Sequence, residues 1–87
     1  MTWVMVDVET DGPIPGDFSM ICFGAVVVTR ELDRTFYGRL RPISDHWIPE
    51  ALAVSGFSRE QTQAFDDPAQ TMTRFRDWLA TNCRGRP

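Results

Sequence analysis

The sequence predicts an α/β fold in the order β-β-β-α-α, an antiparallel three-stranded sheet followed by helices. Three observations carry this. The first half holds three apolar runs rich in valine and phenylalanine, the last two joined by a very short turn. The hydrophobic period then changes from that of strands to that of helices, with proline and glycine placed as starts and stops. At 87 residues, 43% hydrophobic and 24% charged, the chain is long enough for one small domain and no more.

Trp3 to Val8 is apolar apart from Asp7 and reads as a strand buried on both faces, which places it centrally in its sheet. "GPIPG" (Gly12 to Gly16) is loop by its composition. Phe18 to Thr29 is the longest strand candidate, with Gly24 marking a bulge or a close backbone approach. "RELDR" is a turn, and Thr35 to Pro42 returns as a third strand, forming a hairpin with the second.

"IPEALAVSG" places Pro49 in a first helical turn and Gly56 at a C-terminal stop. Ser58 to Gln61 reads as a capping box opening another short turn. "DDPAQTMTRFRDWLATNCRG" is the clearest helix, capped by Asp67, begun by Pro68 and ended by Gly85. Met72, Phe75, Leu79 and Cys83 share one face at helical spacing. This helix must cover one sheet face. A continuous apolar first strand needs a neighbour or a cover on its other side. We therefore expect residues 1–87 to be the N-terminal part of a single larger domain.

The formal net charge is −3, which is not the footprint of a broad basic nucleic-acid surface. It is compatible with an enzyme that grips one strand end locally. Cys22 and Cys83 match no metal or redox spacing and read as buried or half-buried thiols in a reducing compartment. No stretch is long and apolar enough for a membrane span, and no secretion signal is visible, so a cytoplasmic location is expected.

The chemistry concentrates where the first strand runs into Asp7, Glu9 and Asp11. Residues two apart on a strand leave the same face, so Asp7 and Glu9 stand side by side. Two like charges repel and are costly to desolvate, and a divalent cation resolves both problems. Hard oxygen ligands suit Mg²⁺ or Mn²⁺. An EF-hand is excluded: the twelfth position from Asp7 is Phe18, where that loop needs glutamate, and prolines interrupt the loop.

"VDVETDG" resembles the first motif, D-x-E-T-x-G, of the DnaQ-like 3′–5′ exonucleases of the DEDD superfamily, which have a ribonuclease H-like fold. "FSMICFGAVVV" resembles that family's second strand, and "IPEALAVSGFSREQ" its P-x-A-x-x-V-H-G-I-T segment, followed by a helix ending near "FRDWL". The ordered set covers nearly the whole chain.

The resemblance implies a two-metal site, ions roughly 4 Å apart, that clamps a phosphodiester. It implies that Asp7 bridges both ions and that Glu9 holds the one carrying the nucleophilic water. It implies that Thr10, Asp11 and Gly12 lie against the terminal nucleotide, that the partner is the 3′ end of a single-stranded nucleic acid, and that nucleoside 5′-monophosphates are released. The family's third and fourth acids and its His or Tyr base have no counterpart here, so this chain holds at most half of the metal site.

His46, the only histidine, reads as a surface loop residue and Ser55 as structural. Asp66, Asp67 and Asp77 are too far along the chain to replace the missing acids. Arg39, Arg41, Arg74, Arg76, Arg84 and Arg86 read as solvated edge, helix face and tail, and Phe75, Trp78 and Leu79 as packing, while Trp47 reads equally as packing against the sheet or as a ring that stacks on a base. A second reading is a non-catalytic binding or interaction module with a degenerate exonuclease fold. An isolated first strand with a bare apolar edge further predicts association with another copy or with the rest of the domain.

Overall fold

The computed structural model describes residues 2–14 and 16–83. Pro15, the helix stop expected at Gly85 and the arginines Arg84 and Arg86 lie outside these residues. Three strands, β1 (Val4–Thr10), β2 (Met20–Val27) and β3 (Thr35–Arg39), are followed by three helices, α1 (Pro49–Ser55), α2 (Arg59–Gln63) and α3 (Pro68–Asn82). The sheet is antiparallel in the order β1-β2-β3, with the expected hairpin between β2 and β3. The capping-box turn is a helix in its own right. Ser58 accepts from the Gln61 N–H, and Gln61 reaches back to the Ser58 N–H.

The expectation that β1 is buried on both faces is corrected. It is β2 that is central and buried, whereas β1 is an edge strand. Trp3 is 67% exposed, Met5 is 64% exposed, and Val6 and Val8 are also open. The reason is topological. β1 pairs with β2 alone among the described strands, and α3 packs instead on β3. An apolar run alone cannot say which of its two sides the chain will cover. The bulge is likewise not at Gly24. It lies where Glu9 pairs with Cys22 but Thr10 with Met20, leaving Ile21 as the extra residue.

α3 covers one sheet face through aromatic rings. Phe75 meets Phe23 edge-on at 4.9 Å and Phe36 at 5.4 Å, while Trp78 lies 5.9 Å from Phe36. The helix face expected from spacing is rotated: Thr71 is fully buried and Met72 is 42% exposed. Thr71 wins because the helix comes close over Gly38, where an added Cβ would lie 2.8 Å from the Thr71 methyl and 2.9 Å from Phe23. Its hydroxyl donates to the Arg39 carbonyl at 2.8 Å, satisfying an acceptor at the strand end. As expected, Asp67 caps α3, accepting from the N–H groups of Ala69 and Gln70. On the other face, Leu52 of α1 and Phe57 pack on Ile21 and Cys22. Gly56 ends α1 in the left-handed conformation at φ 83°.

Candidate metal centre

The register places Asp7 opposite Gly24 and Glu9 opposite Cys22, and Gly24 in turn opposite Tyr37. By strand alternation these side chains share one face, with the acids' Cα atoms roughly 6.8 Å apart. α1 packs against β1 and, through Leu52, against Ile21 and Cys22. A groove of about 520 Å³ has walls that include Asp7, Glu9, Gly24, Tyr37, Val54 and Ser55.

Asp7 is exposed and Glu9 half-buried. Of the seven other aspartates, five are paired among the described residues, Asp33 and Asp45 being the exceptions. Asp11, Asp17, Asp66, Asp67 and Asp77 each lie between 2.7 and 3.5 Å from a basic nitrogen. No such contact to Asp7 or Glu9 occurs among the described residues. Two adjacent carboxylates without a counter-charge, on an open floor, fit a hard divalent cation chemically. They are two ligands only: among the described residues no group of three or more His, Cys, Asp or Glu comes together to hold a metal.

The three residues that follow are placed differently from one another. The expectation that Asp11 lies against a substrate is corrected for its side chain, which is fully buried. One carboxylate oxygen accepts from the Ser19 N–H at 2.6 Å and the other from Arg59 Nη1 at 3.2 Å. The Asp11 backbone is also engaged, its N–H donating to Ser19 and its carbonyl accepting from the Ile48 N–H. Gly12 is buried because its Cα lies under the Phe18 ring, which any side chain would strike. Thr10 is exposed. With Gly12, Val8, Phe18, Leu40 and Met72 it lines a separate apolar cavity of about 500 Å³.

His46 is a surface residue, its Nδ1 2.7 Å from Asp17. The Ser55 hydroxyl donates to the Leu52 carbonyl and accepts from the Phe57 N–H, which spends it on the end of α1. Arg41 and Arg74 pair with Asp67 and Asp66, and Arg39 lies over the Phe65 ring at 5.3 Å.

Two residues escaped the sequence reading. Arg59 is largely buried; it bridges Asp11 and the Ser44 carbonyl and lies over the Trp47 ring. A buried aspartate demands a cation, but nothing in the spacing says that it comes from the first residue of α2. Tyr37 was legible in principle. In "TFYGR", alternation sends Phe36 and Gly38 to the α3 side and Tyr37 to the side of the acids.

The Tyr37 phenol is pushed up to about 12, first by desolvation, then by the Cys22 thiol and the Glu9 charge, with Arg39 acting the other way. It is the only tyrosine, so its phenolate absorbance titrates alone. The expected midpoint lies above the usual ~10, and Glu9→Gln should lower it. Because the folded value exceeds the unfolded one, the phenol's contribution to stability is complete below pH ~10 and is lost as pH rises toward 12. A midpoint at the free-tyrosine value would show that solvent around this 58% exposed residue screens the shift.

No protein-family model matches the chain. It is 44% identical over 78 residues to the 3′–5′ DNA exonuclease Cap18 of Escherichia coli, an alignment covering 88% of this chain and 41% of that protein. The chain thus spans less than half the length of that relative. Among solved structures, the cell-death related nuclease CRN-4 superposes with a TM-score of 0.71 at 19% identity, covering 92% of this chain and 30% of that one. The resemblance to the DnaQ-like 3′–5′ exonucleases, first visible in "VDVETDG", is therefore supported in sequence by an exonuclease of which this chain spans part, and in fold by a nuclease.

Proposed function

We propose that this chain carries the first metal-binding motif of a metal-dependent 3′–5′ exonuclease. The reaction is hydrolysis of the terminal phosphodiester of single-stranded DNA or RNA, with release of nucleoside 5′-monophosphates. The observation that carries the reading is the Asp7–Glu9 pair, two adjacent carboxylates held on one open sheet face without a counter-charge among the described residues. Asp7 and Glu9 would hold Mg²⁺ or Mn²⁺, which supplies positive charge to phosphate oxygens and acidifies a bound water. The chain's own residues contribute position. β1 fixes both carboxylates on one face, and the chain that leaves it is pinned by the buried Asp11. The bare edge of β1 is left for a further strand, from the rest of a longer chain or from a second copy.

The alternative, a non-catalytic module, draws on the fact that only two ligands assemble among the described residues. Manganese paramagnetic resonance tests the metal site on which the exonuclease reading depends. The free Mn²⁺ signal should fall on adding the chain, weakly because two ligands hold the ion, and Asp7→Ala/Glu9→Ala should weaken binding by more than about tenfold. An unchanged affinity in the double variant would remove the metal reading. Cleavage of a 5′-labelled single strand by this chain alone is expected to be weak or absent. A ladder shortening from the 3′ end and missing in the double variant would place the whole activity within these residues.

A further inference from the structure

Most of the described glycines have a local explanation. Gly12 lies under Phe18, Gly38 lets α3 approach, and Gly16 and Gly56 have positive φ. Gly24 has none of these. It sits mid-strand in β2, its φ is not positive, and an added Cβ would meet nothing nearer than the Phe36 carbonyl oxygen at 4.0 Å. Glycine in a strand interior costs stability, and where packing does not require it, it marks a place where something outside the strand comes close.

The neighbours of Gly24 say what that is. On one side, directly opposite, is Asp7; on the other, directly opposite, is Tyr37. The missing side chain leaves a trough across the sheet, with an acid at one end and an aromatic ring at the other. The ends are two strand spacings apart, about 9.5 Å. Tyr37 is 58% exposed, unlike its neighbour Phe36, which is packed among Phe23, Phe75 and Trp78. The trough is continuous with the acid pair, since all these residues line one groove.

We propose that Gly24 and Tyr37 form a nucleobase subsite, in which the backbone of a single strand crosses the glycine floor and a base stacks on the Tyr37 ring. This rests on the exonuclease reading and adds to it the residues that seat the strand beside the acids. An aromatic face accepts any base, so the subsite is sequence-tolerant. Tyr37 is a positioning residue: it touches the strand away from the scissile bond.

The test measures binding of a fluorescent single-stranded oligonucleotide by anisotropy, at low salt with Ca²⁺, using the whole 87-residue chain. Tyr37→Ala should weaken binding about ten- to a hundredfold, and Tyr37→Phe, which keeps the ring, should bind nearly as the parent does. Gly24→Val provides a check with opposite signs. A β-branched residue suits the strand and its Cβ meets nothing nearer than 4.0 Å, so the melting temperature should rise by roughly 4 °C, while the filled trough loses binding to the same extent as Tyr37→Ala. An oligonucleotide with abasic sites should bind the parent and Tyr37→Ala alike.

If Asp7→Ala/Glu9→Ala loses binding but Tyr37→Ala and Gly24→Val do not, the subsite is overturned and the exonuclease reading stands. If the folded parent chain shows no saturable binding, the subsite is overturned as well; retention of Mn²⁺ by the acids would then keep the metal reading apart from that failure.

Discussion

Replacing Asp11 by alanine is expected to cost about 3–5 kcal/mol, the range for breaking one side of a buried ion pair. Set against a total stability of roughly 4–13 kcal/mol for a chain of this length, that brings the variant to the edge of unfolding. The cost arises on the partner side. Arg59, with a side chain only 12% exposed, would keep its hydrogen bond to Ser44 and its place over Trp47 but lose its counter-charge. The Ser19 N–H would lose its acceptor. The loop after β1, the start of β2 and helix α2 would then be joined by far less. Asp11→Asn should cost less, because its amide oxygen still accepts from Ser19, although its NH2 then faces the Arg59 donor and that bond is lost with the charge. Asp77, in an exposed 3.5 Å pair with Arg76, is the control: its alanine variant should stay within about 0.5 kcal/mol. Urea unfolding followed by tryptophan fluorescence measures all three. A midpoint for Asp11→Ala matching that of Asp77→Ala would show that the pair does not hold the loop.

Asp11 also shows what a sequence can and cannot say. The three acids of "DVETD" look alike in the sequence, and alternation correctly put Asp7 and Glu9 on one face because the strand period is fixed by backbone geometry. It could not place Asp11, since a bulge and a loop intervene and the residue's fate depends on Arg59, forty-eight positions later. The caps were legible for the same local reason as the alternation: Asp67 with Pro68, and Ser58 with Gln61, make contacts within three residues. The burial of β1 was not. A valine-rich run says that a strand is apolar, whereas its position in the sheet is set by which later segments pair with it. Tyr37 lies between these cases. Its face follows from alternation, but its place opposite Gly24 and Asp7 needs the registers of two strand pairs at once.

The rotation of α3 gives the second large effect. Spacing in the sequence puts Met72, Phe75, Leu79 and Cys83 on the packed face, whereas the structure centres it on Thr71, Phe75 and Trp78. Phe75 belongs to both faces and is the ring through which α3 holds Phe23 and Phe36. A fifteen-residue helix is marginal by itself in water, so α3 depends on that contact. Phe75→Ala is therefore expected to cost about 3 kcal/mol, the low end for a phenylalanine because the ring is only half-buried. Amide exchange in α3 should quicken more than in β2. Met72→Ala separates the two faces: the structure predicts a change within about 0.5 kcal/mol for a side chain this open, while the sequence periodicity predicts a core loss of about 2 kcal/mol or more. A large Met72 effect would mean that α3 is rotated back toward the face read from spacing. Mn²⁺ retention in the still-folded Phe75→Ala fraction should be unchanged, because the acids project from the opposite face of the sheet.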